Sequence, residues 1–238
     1  MKLISTEDKI VIFGANGMAG SAIHRLLKKR GYGKIYTPSR MQLNLTNQSA
    51  VRNWFKNNSP DIVLIGAAKV GGIFANSNYP ADFILENLAI QTNIIQTAWE
   101  NNVKKLLFLG SSCIYPKNAN QPINEEELLK GELEETNQWY AIAKIAGIKL
   151  CESLNIQYQF NSISLMPTNL YGTGDNYHPQ NSHVLASLIR RFYEAKLKND
   201  KFVYCWGTGN PLREFLHVDD LAEACLFALE NWDISHES

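Results

Sequence analysis

Short apolar runs alternate with longer segments of helical period along this chain, and the alternation sets its fold class. The runs are almost uninterrupted, which is typical of strands that are buried on both faces of a parallel sheet. They lie at residues 9–13, 34–36, 61–66, 105–110, 161–166 and 202–206. The helical segments lie at residues 18–30, 48–57, 81–100, 137–153, 183–196 and 219–230. Asn47 and Asp219 are predicted N-caps, and Pro80 suits a first helical turn. The pattern predicts a doubly wound α/β fold with its site at the carboxyl ends of the strands.

Composition and charge argue against several classes of function. Of the 238 residues, 45% are hydrophobic, and 23 basic residues balance 23 acidic ones. No basic excess indicates a nucleic-acid partner, and no apolar run reaches the ~20 residues of a membrane helix. Glu7 and Asp8 stand where a signal peptide needs an apolar centre. The four cysteines are widely spaced without a Cys-x-x-Cys pair, which predicts a reduced, cytoplasmic protein with no metal site.

A glycine-rich loop follows the first predicted strand. Gly14, Gly17 and Gly20 lead directly into the first predicted helix. Because such a turn has few side chains, its backbone N–H groups and the helix dipole can meet a pyrophosphate. The sequence therefore predicts a dinucleotide site in this loop. Its members are Gly14, Ala15, Asn16, Gly17, Met18, Ala19 and Gly20. An ordinary glycine-rich turn is the alternative interpretation.

The end of the second predicted strand bears on the choice of cofactor. An NAD site usually has an acidic residue here that binds the 2′-hydroxyl of the ribose. This chain has Ser39 and Arg40 instead. A guanidinium pairs well with a 2′-phosphate, so the sequence favours NADP(H) over NAD. An exposed loop arginine without a ligand is the alternative.

A reducing centre is predicted from two residues that are four positions apart. Tyr140 and Lys144 lie on a predicted helix, one turn apart and on one face. A neighbouring ammonium is expected to lower the pKa of the phenol, which would then donate a proton to a ketone that receives a hydride. Ser111, after the fourth predicted strand, can hydrogen-bond the same ketone oxygen. A tyrosine and lysine at this spacing are also common by chance.

Together, the loop, the serine and the Tyr-x-x-x-Lys pair resemble the extended short-chain dehydrogenases/reductases, which implies a Rossmann-type sheet. Within that superfamily, longer stretches resemble the GDP-L-fucose synthases. They are AAKVGGI (67–73), YPADFI (79–84), LGSSCIYPK (109–117), YAIAKIAGIKLCE (140–152), PTNLYG (167–172), NSHV (181–184) and REFLHVDD (213–220). The resemblance implies a multifunctional enzyme that inverts C3 and C5 of GDP-4-keto-6-deoxy-D-mannose and reduces its C4 ketone with NADPH.

The resemblance also assigns a role to a thiol beside the serines. It implies that Cys113 is the base and His183 the acid of the two inversions. A free thiol is mostly protonated at neutral pH, so an imidazolium at His183 would help Cys113 to ionise if the fold brought them together. Taken alone, Cys113 would be a small buried hydrophobe, and His183 a residue at a helix start or on the surface.

Further contacts are implied by the resemblance alone. Lys144 would also hold the nicotinamide ribose. The other implied cofactor contacts are Asn44, Leu45, Leu109, Gly110, Ser112, Pro167, Thr168, Asn169, Leu170 and His183. The implied substrate contacts are Arg191, Trp206 and Arg213. The chain departs from its relatives at Asn16, where they often carry a basic residue for the 2′-phosphate, so the preference for NADP depends more on Arg40.

The predicted organisation is an NADP-binding Rossmann-type domain at residues 1–170 followed by a partial substrate-binding lobe at 171–238, which is interleaved with the last strand and helix of the Rossmann domain. The lobe is expected to be incomplete, because members of the family continue further. Residues 81–100 and 137–153 are apolar enough to predict a homodimer. Two other functions stay open, namely a nucleotide-sugar epimerase or dehydratase with bound NAD, and a non-catalytic NADP-binding protein.

Overall fold

The main sheet consists of five parallel strands. The computed structural model describes residues 2–179, 182–205, 207–210 and 212–233. The strands of this sheet are β1 Ile10–Phe13, β2 Ile35–Tyr36, β3 Ile62–Ile65, β4 Lys105–Leu109 and β5 Ser162–Leu165. Their order is β2-β1-β3-β4-β5. Because β1 pairs in parallel with both β2 and β3, the chain changes direction across the sheet at β1. Ligands of open parallel sheets bind at such a switch point.

Helices cover both faces of this sheet. They are α1 Met18–Lys29, α2 Gln48–Asn58, α3 Ile73–Asn78, α4 Pro80–Glu100, α5 Gln138–Tyr158, α6 Val184–Lys198 and α7 Val218–Asn231. Side chains of α1 and α7 pack on one face, around Ile12 and Leu107. Side chains of α2, α4 and α5 pack on the other face, around Val11 and Phe108. This arrangement confirms the doubly wound α/β prediction.

The structure confirms two of the three predictions for helix starts. Asn47 caps α2, since its side chain accepts a hydrogen bond from the backbone N–H of Ala50 at 3.0 Å, and Pro80 opens α4. Asp219 is not the N-cap of α7. The cap is His217, whose ring nitrogen Nδ1 accepts from the backbone N–H of Asp219 at 3.3 Å. An imidazole acceptor therefore takes the place that the sequence predicted for a carboxylate.

A second, two-stranded sheet lies beyond the main one. Its strands are β6 Asn169–Tyr171 and β7 Phe215–His217, which pair in parallel. Sequence patterning missed them because neither strand is buried, so neither shows a continuous apolar run. The strand predicted at 202–206 is wrong for the described residues 202–205, which form no strand. Phe202 and Tyr204 are 79% and 85% exposed, so this apolar run has no buried face. Trp206 lies outside the described residues.

Candidate active site

The glycine-rich loop lies at the switch point of the sheet. Gly14 ends β1 with a φ of +90°. A Cβ at Gly14 would lie 2.5 Å from the backbone nitrogen of Ala67, so the loop can approach the end of β3 only with glycine there. The backbone N–H of Gly17 donates to the carbonyl of Gly14 at 3.0 Å, which closes the turn that leads into α1. Met18 and Ala19 form the first helical residues, and Ala15 is buried beneath the turn.

The amino terminus of α1 fits an anion. Its N-cap is Gly17, which provides no side-chain hydrogen bond, and its first turn contains no acidic residue. The first N–H groups of the helix are therefore left to a ligand, and the helix dipole favours negative charge. Gly20 is packed against the carbonyl of Gly14 so closely that any side chain would displace the turn. These residues fit the pyrophosphate of a dinucleotide.

The loop after β2 contains the predicted cofactor contacts. Arg40 is 85% exposed, and its Nη2 lies 3.8 Å from Oε2 of Glu86 on α4. The side chain of Asn44 accepts hydrogen bonds from the backbone N–H and the hydroxyl of Thr46, at 3.1 and 2.8 Å. The carbonyl of Leu45 accepts from the side chain of Asn93 at 2.9 Å. The loop is thus attached to α4, and Asn16 is exposed.

Four of the predicted catalytic residues lie together at the carboxyl end of β4. Ser111 caps a 3₁₀ turn, Ser112–Ile114, and its Oγ accepts from the backbone N–H of Cys113 at 3.4 Å. On α5, the Nζ of Lys144 donates to the carbonyl of Leu109, the last residue of β4, at 2.7 Å. The same Nζ lies 5.7 Å from the centre of the Tyr140 ring. The i, i+4 spacing therefore brings both side chains of α5 to the end of this strand.

The electrostatics of this cluster are dominated by burial. Burial raises the pKa of Cys113, although the Ser111 hydroxyl and the positive charge of Lys144 oppose the change. Burial also lowers the pKa of Lys144 to about 8. The pKa of Tyr140 is raised, first by burial and then by the charge that Cys113 would carry as a thiolate. The expected net lowering of the pKa of Tyr140 is therefore wrong for this structure, because burial is the largest cause of the shift. The side-chain hydrogen bond between Cys113 and Ser111 places the thiol beside this cluster.

The connection between β5 and β6 borders the same cluster. The backbone N–H of Ser112 donates to the carbonyl of Pro167 at 3.1 Å, and that of Gly110 donates to the carbonyl of Leu165 at 2.8 Å. Beyond this point, the side chains of Thr168 and Asn169 both donate to the carbonyl of Glu214 at 3.0 Å. Leu170 follows within β6. The predicted nicotinamide contacts thus begin beside Ser111 and Ser112.

Other predicted residues lie elsewhere or contact only the protein itself. His183 is exposed at the N-cap of α6. Arg191 donates from Nη1 to the carbonyl of Tyr204 at 3.1 Å, and Arg213 donates to the carbonyl of its neighbour Leu212 at 2.9 Å. The roles of these three residues stay predictions, as does the pairing of His183 with Cys113. No group of three or more potential metal ligands occurs among the described residues.

Sequence reasoning missed a group of residues between β3 and α4. Lys69 bonds to both Asp82 and Glu86, at 3.0 and 2.7 Å. The buried side chain of Asn87 bonds to both backbone groups of Lys69. The only signal was the stretch AAKVGGI, to which Lys69 belongs, since nothing in the sequence pairs it with residues of α4.

Comparisons with known proteins agree with this geometry. The NAD dependent epimerase/dehydratase family matches residues 10–237. GDP-L-fucose synthase 1 of Arabidopsis thaliana is 58% identical over 94% of this chain and 69% of its own length. The GDP-L-fucose synthase of Escherichia coli K12 is 55% identical over 98% of this chain and 71% of its own. Among solved structures, a GDP-mannoheptose C4 reductase from Campylobacter jejuni with NADP bound is 43% identical, with a TM-score of 0.91 over 98% of this chain and 76% of that one.

Proposed function

The chain belongs to the NAD dependent epimerase/dehydratase family and, within it, to the group of the GDP-L-fucose synthases, and we propose that it has their activity. The proposed reaction converts GDP-4-keto-6-deoxy-D-mannose to GDP-L-fucose by inversion at C3 and C5 and NADPH-dependent reduction at C4. The observation that carries the proposal is the joint position of Ser111, Cys113, Tyr140 and Lys144 at the end of β4.

The reduction uses the hydroxyl and phenol of this cluster. NADPH, when bound, supplies the hydride. The phenol of Tyr140 donates its proton to the ketone oxygen, and the hydroxyl of Ser111 hydrogen-bonds that oxygen. The raised pKa of Tyr140 keeps the phenol protonated and ready to donate. The ammonium of Lys144 holds the nicotinamide ribose and stabilises the negative charge left on Tyr140.

The inversions use the thiol. C3 and C5 both flank the C4 carbonyl, so the same polarisation of the ketone oxygen acidifies both C–H bonds. Cys113 removes each proton, and His183 returns one on the opposite face. Burial raises the pKa of Cys113, whereas the Ser111 hydroxyl and Lys144 favour its thiolate. Lys144 thus supports the base directly, and His183 reaches the substrate from the start of α6.

The remaining assignments follow from the same proposal. Residues 14–20, Arg40, the loop after it and the β5–β6 connection form the NADP site in the region 1–170. Residues 171–238 contribute Arg191, Trp206 and Arg213 to the GDP-sugar. We propose a homodimer because α4 and α5 pack together and leave Leu85 and Ile156 exposed, at 65% and 73%. We propose a cytoplasmic location because the spacing of the four cysteines is typical of a reduced protein. No helix in the described part of the chain is long and apolar enough to cross a membrane.

Product analysis with this chain tests the proposal. Incubated with NADPH and the GDP-ketosugar in deuterated water, the protein should consume NADPH and form GDP-L-fucose with deuterium at C3 and C5. Interconversion of nucleotide sugars without net consumption of NADPH would indicate an epimerase with bound NAD instead. NADPH binding with no turnover of the ketosugar would contradict the proposal and favour a non-catalytic NADP-binding protein.

A further inference from the structure

We propose that Glu86 limits the affinity for the 2′-phosphate of NADPH, because its carboxylate competes with that phosphate for Arg40. The inference rests on the proposed function, in which Arg40 binds the 2′-phosphate. The guanidinium of Arg40 lies 3.8 Å from the carboxylate of Glu86, and the side chain of Arg40 is 85% exposed. A ligand that binds the exposed guanidinium therefore also lies close to the carboxylate of Glu86.

Glu86 is held in place on its other side. Its Oε1 accepts a hydrogen bond from the Nζ of Lys69 at 2.7 Å, and the same Nζ lies 3.0 Å from a carboxylate oxygen of Asp82. The side chains of Lys69 and Glu86 are only 27% and 30% exposed. The hydrogen bond to Glu86 also raises the pKa of Lys69, so Lys69 stays charged at neutral pH. The carboxylate of Glu86 is thus fixed by Lys69.

Lys69 is fixed in turn by a buried amide. The side chain of Asn87, which is 2% exposed, accepts from the backbone N–H of Lys69 at 2.9 Å and donates to its carbonyl at 3.0 Å. The same amide donates to the carbonyl of Phe83 at 2.7 Å. A hydrogen-bonded chain therefore runs from the interior of α4 through Lys69 to Glu86. In the ion pair of Arg40 and Glu86, the exposed side chain of Arg40 is therefore the one that can move.

The consequence is a charge balance at this corner of the site. The guanidinium of Arg40 faces the carboxylate of Glu86, so a phosphate dianion that binds Arg40 meets a negative charge beside it. Like charges a few ångströms apart repel, and the repulsion grows with partial burial. NADH has no 2′-phosphate, so Glu86 should weaken the binding of NADPH and leave that of NADH unchanged. Glu86 is thereby a residue that determines cofactor specificity.

Cofactor titration of matched variants tests this inference. Dissociation constants of NADPH and NADH are measured for the wild type, Glu86→Gln and Asp82→Asn by quenching of tryptophan fluorescence. Glu86→Gln should tighten NADPH by about three- to tenfold and change NADH by less than about twofold. Asp82→Asn is the matched control, because Asp82 shares Lys69 but does not contact Arg40; it should change either constant by less than about twofold. Weaker NADPH binding in Glu86→Gln, or equal changes for both cofactors, would overturn the inference.

A double-mutant cycle separates the failure of this inference from that of the proposed function. Arg40→Ala should weaken NADPH selectively, and adding Glu86→Gln to Arg40→Ala should then have no effect. Selective weakening in Arg40→Ala with no response to Glu86→Gln would overturn only the role of Glu86. No selectivity for NADPH in the wild type, with no response to Arg40→Ala, would overturn the proposed cofactor site as well. Glu86→Asp, which keeps the pair with Lys69 and draws the carboxylate back by one methylene, should give a smaller effect of the same sign.

Discussion

The two ends of strand β4 each hold a buried lysine, yet only one of them lies among reactive groups. At the amino end, Lys105 is 1% exposed and its Nζ donates to the carbonyl of Trp232. At the carboxyl end, Lys144 is 3% exposed and its Nζ donates to the carbonyl of Leu109. Burial lowers the pKa of both lysines. A buried lysine with a lowered pKa is therefore no sufficient sign of a catalytic site.

The neighbours make the difference between the two lysines. Lys144 lies close to Tyr140 and Cys113, whose side chains can donate or accept protons. The Nζ of Lys105 donates to a backbone carbonyl, and the charge that acts on it is that of Asp233. The carboxyl ends of parallel strands are also where loops of different units meet, whereas at the amino end of β4 Lys105 is bonded to Trp232, the residue after α7. The comparison predicts chemistry at one end of β4 and stability at the other.

The largest effect is expected for Tyr140→Phe. Removing the phenolic proton should slow ketone reduction by about 10³-fold or more, in the upper range for loss of a general acid. NADPH binding should stay nearly intact, since the ring remains. The measurement is NADPH oxidation with the GDP-ketosugar, beside cofactor titration. Tyr158→Phe on the last turn of α5 is the control and should retain activity within about twofold. Loss of NADPH binding in Tyr140→Phe would contradict the assigned role.

Cys113→Ser should separate the two halves of the reaction. Because a hydroxyl is a far weaker acid than a thiol, deuterium exchange at C3 and C5 should fall by about 10²-fold, and direct reduction of the unepimerised ketone should fall much less. Exchange is followed by mass spectrometry of the recovered nucleotide sugar. Cys225→Ser, in the core beside α1, changes a thiol far from the site and should leave exchange unaffected. Unchanged exchange in Cys113→Ser would remove Cys113 as the base.

The pH dependence of ketone reduction should follow the protonation of Lys144 and not that of Lys105. The pKa of Lys144 is lowered to about 8, so its ammonium is charged below that pH and neutral above it. Since the charged form stabilises the deprotonated Tyr140, kcat/KM should fall by about tenfold between pH 7 and 9. The raised pKa of Tyr140 keeps the phenol protonated throughout this range. A profile that stays level to pH 10 would show that the charge of Lys144 is not needed.

Sequence patterning located the main sheet but not every strand, for a physical reason. The strands β1, β3 and β4 and the first half of β5 are buried, so their apolar runs follow directly from their positions. β6 and β7 are partly buried or exposed, and their pairing joins residues 46 positions apart, such as Asn169 and Phe215. The run at 202–206 has the same composition as a buried strand, but exposed Phe202 and Tyr204 show that composition alone does not place a segment inside.

The candidate site also contains residues that the sequence predicts and residues that it does not. The spacing of Tyr140 and Lys144 and the glycine loop were recognisable, because both depend on local geometry. The sequence did not reveal that the pKa of Tyr140 is raised, since this depends on how deeply α5 packs against the end of β4. Glu86 and Lys69 were also missed, because their contact is created by the packing of α4 beside β3. Long-range burial and charge pairing are what the sequence alone does not contain.

The smallest effect, and the sharpest test of the comparison, is expected for Lys105→Met. Methionine fills most of the buried volume but cannot donate to the carbonyl of Trp232, so the free energy of unfolding should fall by about 1–2 kcal/mol in urea denaturation. kcat/KM and its pH profile should stay within about twofold of the wild type. Lys104→Met is the matched control, because the neighbouring Lys104 is 52% exposed and pairs with Asp8 at 3.1 Å, a surface contact worth at most about 1 kcal/mol. If Lys105→Met lowered kcat/KM as strongly as a change at the carboxyl end, the two ends of β4 would not differ in function as proposed.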